Sequence, residues 1–178
     1  MRIISGSHKG RRFNPPKGFK SRPTTDLARE SLFNILSNTY QIDGLIAFDL
    51  FAGSGSVSYE FASRGAKKVL SIEKSFPVFK HLIKLVNEFD LEHIRVIKKD
   101  VFAWLKNTEE KADIIFADPP FDLVNIKEIP KIIIEKKMIN EGGCFILEHA
   151  AGLSFDEFKE YSYTKNYGSV HFSFFFVD

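Results

Sequence analysis

The stretch Asp118-Pro119-Pro120-Phe121 has the residue types needed to hold a flat group that carries an amine. It follows the apolar run 114–117, which is typical of a short buried strand. The Asp118 carboxylate can accept hydrogen bonds from an NH2 group, and the prolines fix φ and leave nearby carbonyls without a competing amide donor. The Phe121 ring offers a face on which a base can stack. The alternative is a plain strand-ending turn, because Asp and Pro are common in turns.

A glycine-rich stretch between a predicted strand at 45–48 and a predicted helix at 57–64 forms a second motif. It reads Asp49-Leu50-Phe51-Ala52-Gly53-Ser54-Gly55-Ser56. Glycines at 53 and 55 let the backbone approach a ligand closely. Ser58 stands where a dinucleotide fingerprint has its third glycine, which weakens a pyrophosphate interpretation. The Asp49 anion would repel phosphate and attract an ammonium or sulfonium group.

Two more acids follow predicted strands. Glu73 ends the apolar run 69–72, about twenty residues after the glycine-rich stretch, the offset at which an acid binds the hydroxyl pair of a ribose. Asp100 follows the run 94–97 and is placed to accept a hydrogen bond from an adenine amine. Either acid alone is ordinary for a solvated loop. Because they follow successive strands, whose carboxyl ends form the ligand edge of an open α/β sheet, a binding function is favoured.

Together these motifs resemble those of S-adenosylmethionine-dependent amino-methyltransferases, and an N-terminal block resembles the RsmD family. That block consists of Arg2-Ile3-Ile4-Ser5-Gly6, Lys9-Gly10-Arg11-Arg12, Arg22-Pro23-Thr24-Thr25-Asp26, Arg29-Glu30 and Leu32-Phe33-Asn34-Ile35-Leu36. The resemblance extends from residue 1 to about residue 122. It implies methylation of the exocyclic N2 of one guanine in the 16S rRNA of the small ribosomal subunit.

The resemblance also implies which residues form the site. The catalytic candidates are Asp118, Pro119, Pro120 and Phe121. The candidates for binding S-adenosylmethionine are Asp49, Phe51, Gly53, Gly55, Glu73, Asp100, Val101 and Thr24. Two other functions remain open at this point: an N6-adenine methyltransferase acting on DNA or RNA, since the pocket would accept an NH2 on either purine, and a non-catalytic RNA-binding ribosome-assembly factor.

Charge is distributed unevenly along the chain. Residues 1–25 carry seven basic side chains and no acid, whereas residues 26–178 have a net charge of −5. A basic segment on a mildly acidic body suits a polyanionic partner, here 16S rRNA or the small subunit. The predicted RNA contacts are Arg2, Lys9, Arg11, Arg12, Lys17, Lys20, Arg22 and Arg29. We therefore expect a basic β-hairpin arm over residues 1–25 and a methyltransferase domain over residues 26–178.

Apolar periodicity predicts an α/β fold. Beyond the elements above, we expect a helix capped by Thr25 or Asp26, helices at 75–89, 102–106 and 126–137, and strands at 144–147, 161–165 and 169–177. The final two strands form a hairpin turned by residues 166–168. The resulting architecture is a class I methyltransferase (Rossmann-like) sheet of seven mostly parallel strands, with helices on both faces and an antiparallel C-terminal hairpin.

Composition narrows the class of protein. A chain of 178 residues with 27% charged and 44% hydrophobic residues is typical of one globular domain. Its single cysteine, Cys144, excludes an internal disulfide framework and suits a reducing compartment. The five histidines lack the spacing of a metal site, so we predict none. We expect a monomer in the cytoplasm.

Overall fold

Helices and strands alternate along most of the chain in the computed structural model, which describes residues 1–16 and 26–177. The helices are α1 (Asp26–Thr39), α2 (Ser56–Ser63), α3 (Phe76–Glu88), α4 (Val101–Asn107) and α5 (Glu128–Glu135). The strands are β1 (Ile46–Leu50), β2 (Lys68–Glu73), β3 (Ile94–Lys98), β4 (Ala112–Ala117), β5 (Ile139–His149), β6 (Tyr161–Tyr167) and β7 (Val170–Phe176). Of the two predicted caps of α1, Thr25 lies outside the described residues.

These strands form one sheet in the order β3-β2-β1-β4-β5-β7-β6. The pairs from β3 to β5 are parallel, and β7 is antiparallel to both β5 and β6. The strand order reverses direction between β1 and β4, which is the switch point where open α/β sheets bind ligands. The predicted mixed sheet with a C-terminal hairpin is confirmed.

Alternating strand residues point to opposite faces, which gives the sheet two apolar cores. One core contains Ile114, Phe116 and Ile146 and is covered by α1, α2 and α3. The other contains Ile115 and Phe145 and is covered by α4 and α5. Phenylalanine contributes to both cores, which accounts for part of the 19 phenylalanines in the chain. No helix within the described residues has the length and apolar character needed to cross a membrane.

Element boundaries differ from the sequence-based predictions where tertiary pairing extends or shortens an element. β5 begins at Ile139 rather than Cys144, because Ile139 pairs with Ala112 of β4 across a register shift. β6 continues to Tyr167, which pairs with Val170, so the hairpin turn is Gly168-Ser169 rather than 166–168. α5 is shorter than its apolar pattern suggested and covers only Glu128–Glu135.

The predicted β-hairpin at the N-terminus is present only in reduced form. Residues 2 and 12 make a single antiparallel bridge, and backbone hydrogen bonds between Ile3 and Arg11, Gly10 and Ile3, and Phe13 and Met1 close the turn. Two continuous strands do not form within residues 1–16. Ile3 and Phe13 are instead buried in the core beneath α1 and α2, so this part of the chain packs against the body.

A buried glutamate attaches this N-terminal segment to α2. The two oxygens of Glu60 accept hydrogen bonds from the backbone amides of Ile4 and Ser5, at 2.8 and 3.0 Å. Arg64 on the same helix donates to Glu60 at 2.8 Å, which pairs the buried charge. Ser63 adds to the attachment, because its carbonyl oxygen accepts from the Ser7 amide at 2.8 Å. A buried carboxylate with this set of donors fixes the segment against one helix.

Two glycines in the N-terminal turn allow a matched test of this packing. Gly6 and Gly10 have φ values of +82° and +84°, and a Cβ on Gly6 would lie 1.8 Å from the Ser63 carbonyl oxygen, whereas one on Gly10 would meet nothing within 4 Å. In both alanine variants the strained backbone should lower the free energy of unfolding by about 1 kcal/mol. Only Gly6→Ala should lower the free energy of unfolding further, because its Cβ would push the N-terminal segment away from α2. This variant should therefore have a lower urea midpoint than Gly10→Ala and faster hydrogen exchange at Ile4 and His8. Equal losses in the two variants would contradict this attachment.

Candidate active site

The glycine-rich stretch, Glu73 and Asp118 lie together at one edge of the sheet. Leu50 of β1 pairs with Ile72 of β2 on one side and with Ala117 of β4 on the other. The chain therefore leaves three adjacent strands at the same level, and the flanking loops are separated by about 10 Å, twice the strand spacing. The sheet thus brings together the two motifs that the sequence separates by more than sixty residues.

Glu73 holds the glycine-rich loop in place. One of its oxygens accepts a hydrogen bond from the Gly53 amide at 3.1 Å, and the other accepts from the Ser75 amide at 2.6 Å. Only 9% of the residue is exposed. Each carboxylate oxygen has a second lone pair, so these contacts leave acceptor capacity for the hydroxyls of a ligand. Glu73 is both a support for the loop and a candidate ribose contact.

Asp49 lies beneath the loop with its carboxylate turned toward the start of α2. It accepts hydrogen bonds from the backbone amide and the hydroxyl of Ser58, and the Ser58 hydroxyl also lies 2.6 Å from that of Ser71. With 2% of the residue exposed, burial raises the pKa of Asp49 to about 7, against the lowering effect of the two Ser58 hydrogen bonds. From the sequence we expected the Asp49 side chain to face a ligand. In the structure its hydrogen-bond partner is Ser58 at the start of α2.

Backbone conformation in the loop is left-handed at three positions. Phe51 has φ +65°, Gly53 +51° and Gly55 +80°. For Phe51 this conformation is unfavourable, and such outliers concentrate at functional sites. At Gly55 the glycine is also required by packing, because a Cβ there would lie 2.4 Å from the Tyr59 ring. The Gly-x-Gly pattern predicted that a ligand approaches the backbone closely. At Gly55 the group that approaches closely is the Tyr59 side chain.

Asp100 and Val101 form the start of α4. Asp100 is exposed, and its Oδ1 accepts a hydrogen bond from the Ala103 amide at 3.2 Å, which makes it the N-cap of the helix. Val101 is buried in the core on that face. The structure thus gives Asp100 a role as the cap of α4. Asp100 is also exposed near the ligand edge, so its position is compatible with the predicted adenine contact. The part of the chain that is described has no cluster of three His, Cys, Asp or Glu suited to a metal.

The Asp118-Pro119-Pro120-Phe121 stretch leaves β4 beside the end of β1. The Asp118 amide donates to the Leu50 carbonyl at 3.3 Å, and the Pro120 carbonyl accepts from the Leu123 amide at 2.9 Å. The latter bond closes a turn that leaves Phe121 63% exposed. A half-buried acid next to an exposed aromatic ring at a ligand edge can receive a planar amine.

The predicted RNA contacts fall into three groups. Arg2, Lys9, Arg11 and Arg12 are exposed, as an RNA contact requires. Arg29 is not: it is fully buried and donates to the Arg2 carbonyl at 2.6 Å and to Asp26 at 2.9 Å, because α1 packs it beneath the N-terminal segment. Arg29 is thus a structural cation here rather than a surface contact. The remaining candidates, Lys17, Lys20 and Arg22, and the proposed cofactor contact Thr24 lie outside the described residues.

Four residues that support the site were not identified from sequence: Ser58, Tyr59, Glu60 and Ser71. Ser58 was considered only as a missing glycine, yet it is the hydrogen-bond partner of Asp49. Every residue of α2 is buried although the helix includes several polar side chains, and this burial becomes visible only in the structure. A fully buried helix with serines and a glutamate indicates that its polar groups have internal partners.

Comparison with known proteins agrees with this fold. The family model described as "Conserved hypothetical protein 95" matches residues 1–176. The Ribosomal RNA small subunit methyltransferase D of Buchnera aphidicola subsp. Acyrthosiphon pisum is 36% identical over 149 residues, covering 82% of this chain and 76% of that protein. The structure of yhhF from Escherichia coli superimposes with a TM-score of 0.88 at 28% identity, over 100% of this chain and 98% of the other.

A more distant structure supports the fold alone. It is that of the Thermus thermophilus 16S rRNA N2 G1207 methyltransferase (RsmC) in complex with AdoMet and guanosine, with a TM-score of 0.71 at 21% identity. It aligns with 90% of this chain and 46% of its own length. The sheet order, the switch point and this likeness define the class I methyltransferase fold. The family model that matches residues 1–176, together with the 36% identical relative, shows that the chain belongs to the RsmD family, as its motifs predicted.

The raised pKa of Asp49 predicts how stability depends on pH. Its pKa moves from 3.8 to about 7, so the folded protein retains a proton that the unfolded chain releases. The stability associated with the protonated form should be lost as pH rises from about 4 through 7, with a slope of at most about 1.4 kcal/mol per pH unit. Asp49→Asn should lack this slope. Urea unfolding of both proteins at pH 5 to 8 measures it, and parallel pH curves would show that Asp49 does not titrate in this range.

Proposed function

We propose that this protein transfers a methyl group from S-adenosylmethionine to the exocyclic N2 of a guanine in 16S rRNA of the small ribosomal subunit. The observation that carries the proposal is the placement of Asp118 directly beside the glycine-rich loop, with its amide bonded to the Leu50 carbonyl at 3.3 Å. An amine-binding acid and a cofactor loop thus share one edge. The relatives named as small-subunit rRNA methyltransferases support the substrate class. The enzyme acts as a monomer in the cytoplasm, where its RNA substrate is made.

The residues at this edge fit S-adenosylmethionine. Carboxylates at positions 73, 100 and 118, with Asp49 adding charge as it ionises near pH 7, make the edge acidic, which suits a ligand that carries a sulfonium and an ammonium group. Glu73 has acceptor capacity for the ribose hydroxyls, and the left-handed backbone at Phe51 and Gly53 shapes the loop beside it. Asp100 is exposed and available to an adenine amine. The sulfonium group supplies an activated methyl when the cofactor is bound.

Transfer to a guanine amine requires orientation more than acid–base strength. The N2 lone pair is delocalised into the purine ring, so the amine is a poor nucleophile. Asp118 and the Pro119 carbonyl would accept hydrogen bonds from the two N–H groups of this amine. These bonds would direct the nitrogen lone pair out of the ring plane and offset the positive charge that develops on nitrogen during transfer. Such positioning contributes at most about 7–11 kcal/mol to lowering the barrier.

Phe121 receives the base after it leaves its stack. The ring is 63% exposed, so a flipped purine can lie against it without displacing core residues. Stacking of this kind is worth roughly 1–3 kcal/mol per base. The proton lost from N2 after methylation passes to Asp118 or to water. The exposed arginines and lysine of the N-terminal segment hold the RNA phosphates, which adds a salt-dependent part to the affinity.

The choice between guanine and adenine is tested by the product. An acid and a carbonyl accept from the amine of either purine, so the pocket chemistry is common to both, and only the resemblance of the N-terminal block to the RsmD family favours guanine. Incubation with small subunits from a strain that lacks the gene, followed by nucleoside mass spectrometry, should give N2-methylguanosine. N6-methyladenosine would replace this proposal with the adenine alternative, and cofactor binding without any methylated nucleoside would favour the non-catalytic assembly factor.

The proposed role of Asp118 predicts a separation of binding from turnover. Asp118→Ala should lose at least about a hundredfold in single-turnover rate, as expected when a group that stabilises transition-state charge is removed. Its cofactor affinity should be unchanged, because its partner is the substrate amine. Phe121→Ala should lose less, roughly five- to a hundredfold, since stacking is a smaller contribution. A near-normal rate in Asp118→Ala on methylatable RNA would exclude the amine-orienting role.

Glu73 should instead affect the cofactor. Glu73→Gln keeps the size and one acceptor oxygen but removes the charge, so S-adenosylmethionine affinity should fall by about 1–3 kcal/mol. Isothermal titration calorimetry measures this change. The matched control is Glu110→Gln, which removes a carboxylate paired with Lys68 at 2.7 Å before β4, at the opposite edge of the sheet. Equal affinities for wild type and both variants would move the ribose site away from Glu73.

A further inference from the structure

An aromatic and basic surface lies beside the candidate site on α3 and the edge strand β3. Phe76 and Phe79 form its apolar part, with ring centres 6.5 Å apart and planes inclined by 18°. Together with Lys80, Ile83 and Lys84 they line a shallow groove of about 440 Å³. Phe76 is 49% exposed at the start of a helix whose other face is buried, so its ring is accessible to a ligand.

Lysine side chains surround the exposed ring. The ammonium groups of Lys80 and Lys98 lie 4.9 and 4.8 Å from the centre of the Phe76 ring. Lys74 and Lys99 are exposed in the loops that follow β2 and β3. Within residues 1–16 and 26–177, none of these four lysines, nor Lys84, takes part in an ion pair. The surface therefore carries uncompensated positive charge around an accessible aromatic face.

The location of this surface connects it to both parts of the proposed RNA-binding machinery. Lys74 directly follows Glu73, so the surface begins at the same edge of the sheet as the candidate site. On the opposite flank of α3, His81 bonds the Asn14 carbonyl at 2.8 Å, and Arg11 lies over Phe89 just after the helix. α3 thus has the basic N-terminal segment on one flank and the aromatic–lysine surface on the other.

We propose that this aromatic–lysine surface, formed by Phe76, Phe79, Lys80, Lys84 and Lys98, binds a single-stranded segment of the RNA next to the target nucleotide. The inference rests on the proposed function for the identity of the RNA. An exposed aromatic ring stacks an unpaired base, and flanking lysines meet the phosphates on either side, which is the usual combination in single-strand binding surfaces. A base paired in an A-form helix would not present its face to the ring. The surface would hold the strand after the target base has been flipped.

Charge reversal at the surface tests the phosphate contacts. The probe is a fluorescently labelled twelve-nucleotide oligouridine, compared with an RNA duplex of the same phosphate number. Lys80→Glu with Lys98→Glu should weaken binding of the single strand about tenfold or more and lower the log–log salt slope by about 1.4. The matched control, Lys111→Glu with Lys131→Glu, changes two exposed lysines before β4 and on α5 by the same charge. Equal weakening by both pairs would overturn the proposal, because the effect would then be one of net charge.

Substitution of Phe76 tests the stacking. Phe76→Ala should weaken the single strand about fivefold or more and leave the duplex nearly unchanged. Phe76→Trp should restore binding, and its fluorescence should be quenched by the oligouridine, whereas the fluorescence of the control variant Lys131→Trp should not respond. Absence of quenching, or equal losses for single strand and duplex, would exclude a stacking surface. Unchanged S-adenosylmethionine affinity and thermal midpoint in each variant confirm that the fold is intact.

Methyl transfer by the wild-type protein separates this inference from the function on which it rests. If wild type methylates the small subunit and the surface variants do so with an unchanged KM, the inference fails and the proposed function stands. If wild type methylates no RNA while oligouridine binding still depends on Phe76 and the lysines, the proposed function fails and the surface is retained. A raised KM with nearly normal kcat at saturating RNA is the result we expect.

Discussion

Two buried carboxylates hold the loop on which the site depends. Glu73 accepts a hydrogen bond from the Gly53 amide, and Asp49 accepts hydrogen bonds from the Ser58 amide and hydroxyl. These bonds join the ends of β1 and β2 to the loop and the start of α2, in addition to the apolar packing of α2 on the sheet. Removing either acid would leave buried donors without partners, which is costly. The loop can keep its left-handed backbone at Phe51 because the surrounding bonds over-determine it.

Helix α2 joins the glycine-rich loop to the N-terminal segment. α2 begins at the loop, and Glu60 in its second turn accepts hydrogen bonds from the amides of Ile4 and Ser5. The Phe13 and Tyr59 rings pack edge to face with their centres 5.1 Å apart, and the Tyr59 ring in turn fills the space next to Gly55. The basic segment and the loop are therefore connected through the packed side chains of α2. Substrate RNA and cofactor would act on opposite ends of one short, fully buried helix.

The distribution of charge around the site has a simple physical consequence. Carboxylates line the edge where the strands end, and exposed cations lie on both flanks of α3, on the N-terminal segment and on the aromatic–lysine surface. Under the proposed function, a cationic cofactor and a polyanionic RNA would be attracted to adjacent but different regions. This arrangement would limit competition between them, since each region would repel the charge of the other ligand. Phe121 and Phe76 would then offer exposed rings to bases in the two regions.

Local sequence was sufficient to predict the seven strands of the sheet, though not the ends of all of them, together with the order of α and β units and the acids at the strand ends, because period and turn chemistry are local properties. It placed Glu73 and Asp118 at one edge because parallel strands align their ends. It did not predict that Arg29 is buried under the Arg2 carbonyl, that Ser58 is the partner of Asp49, or that Lys98 lies over Phe76. These contacts join residues on different elements, and only tertiary packing decides which side chains meet and which charges are removed from water.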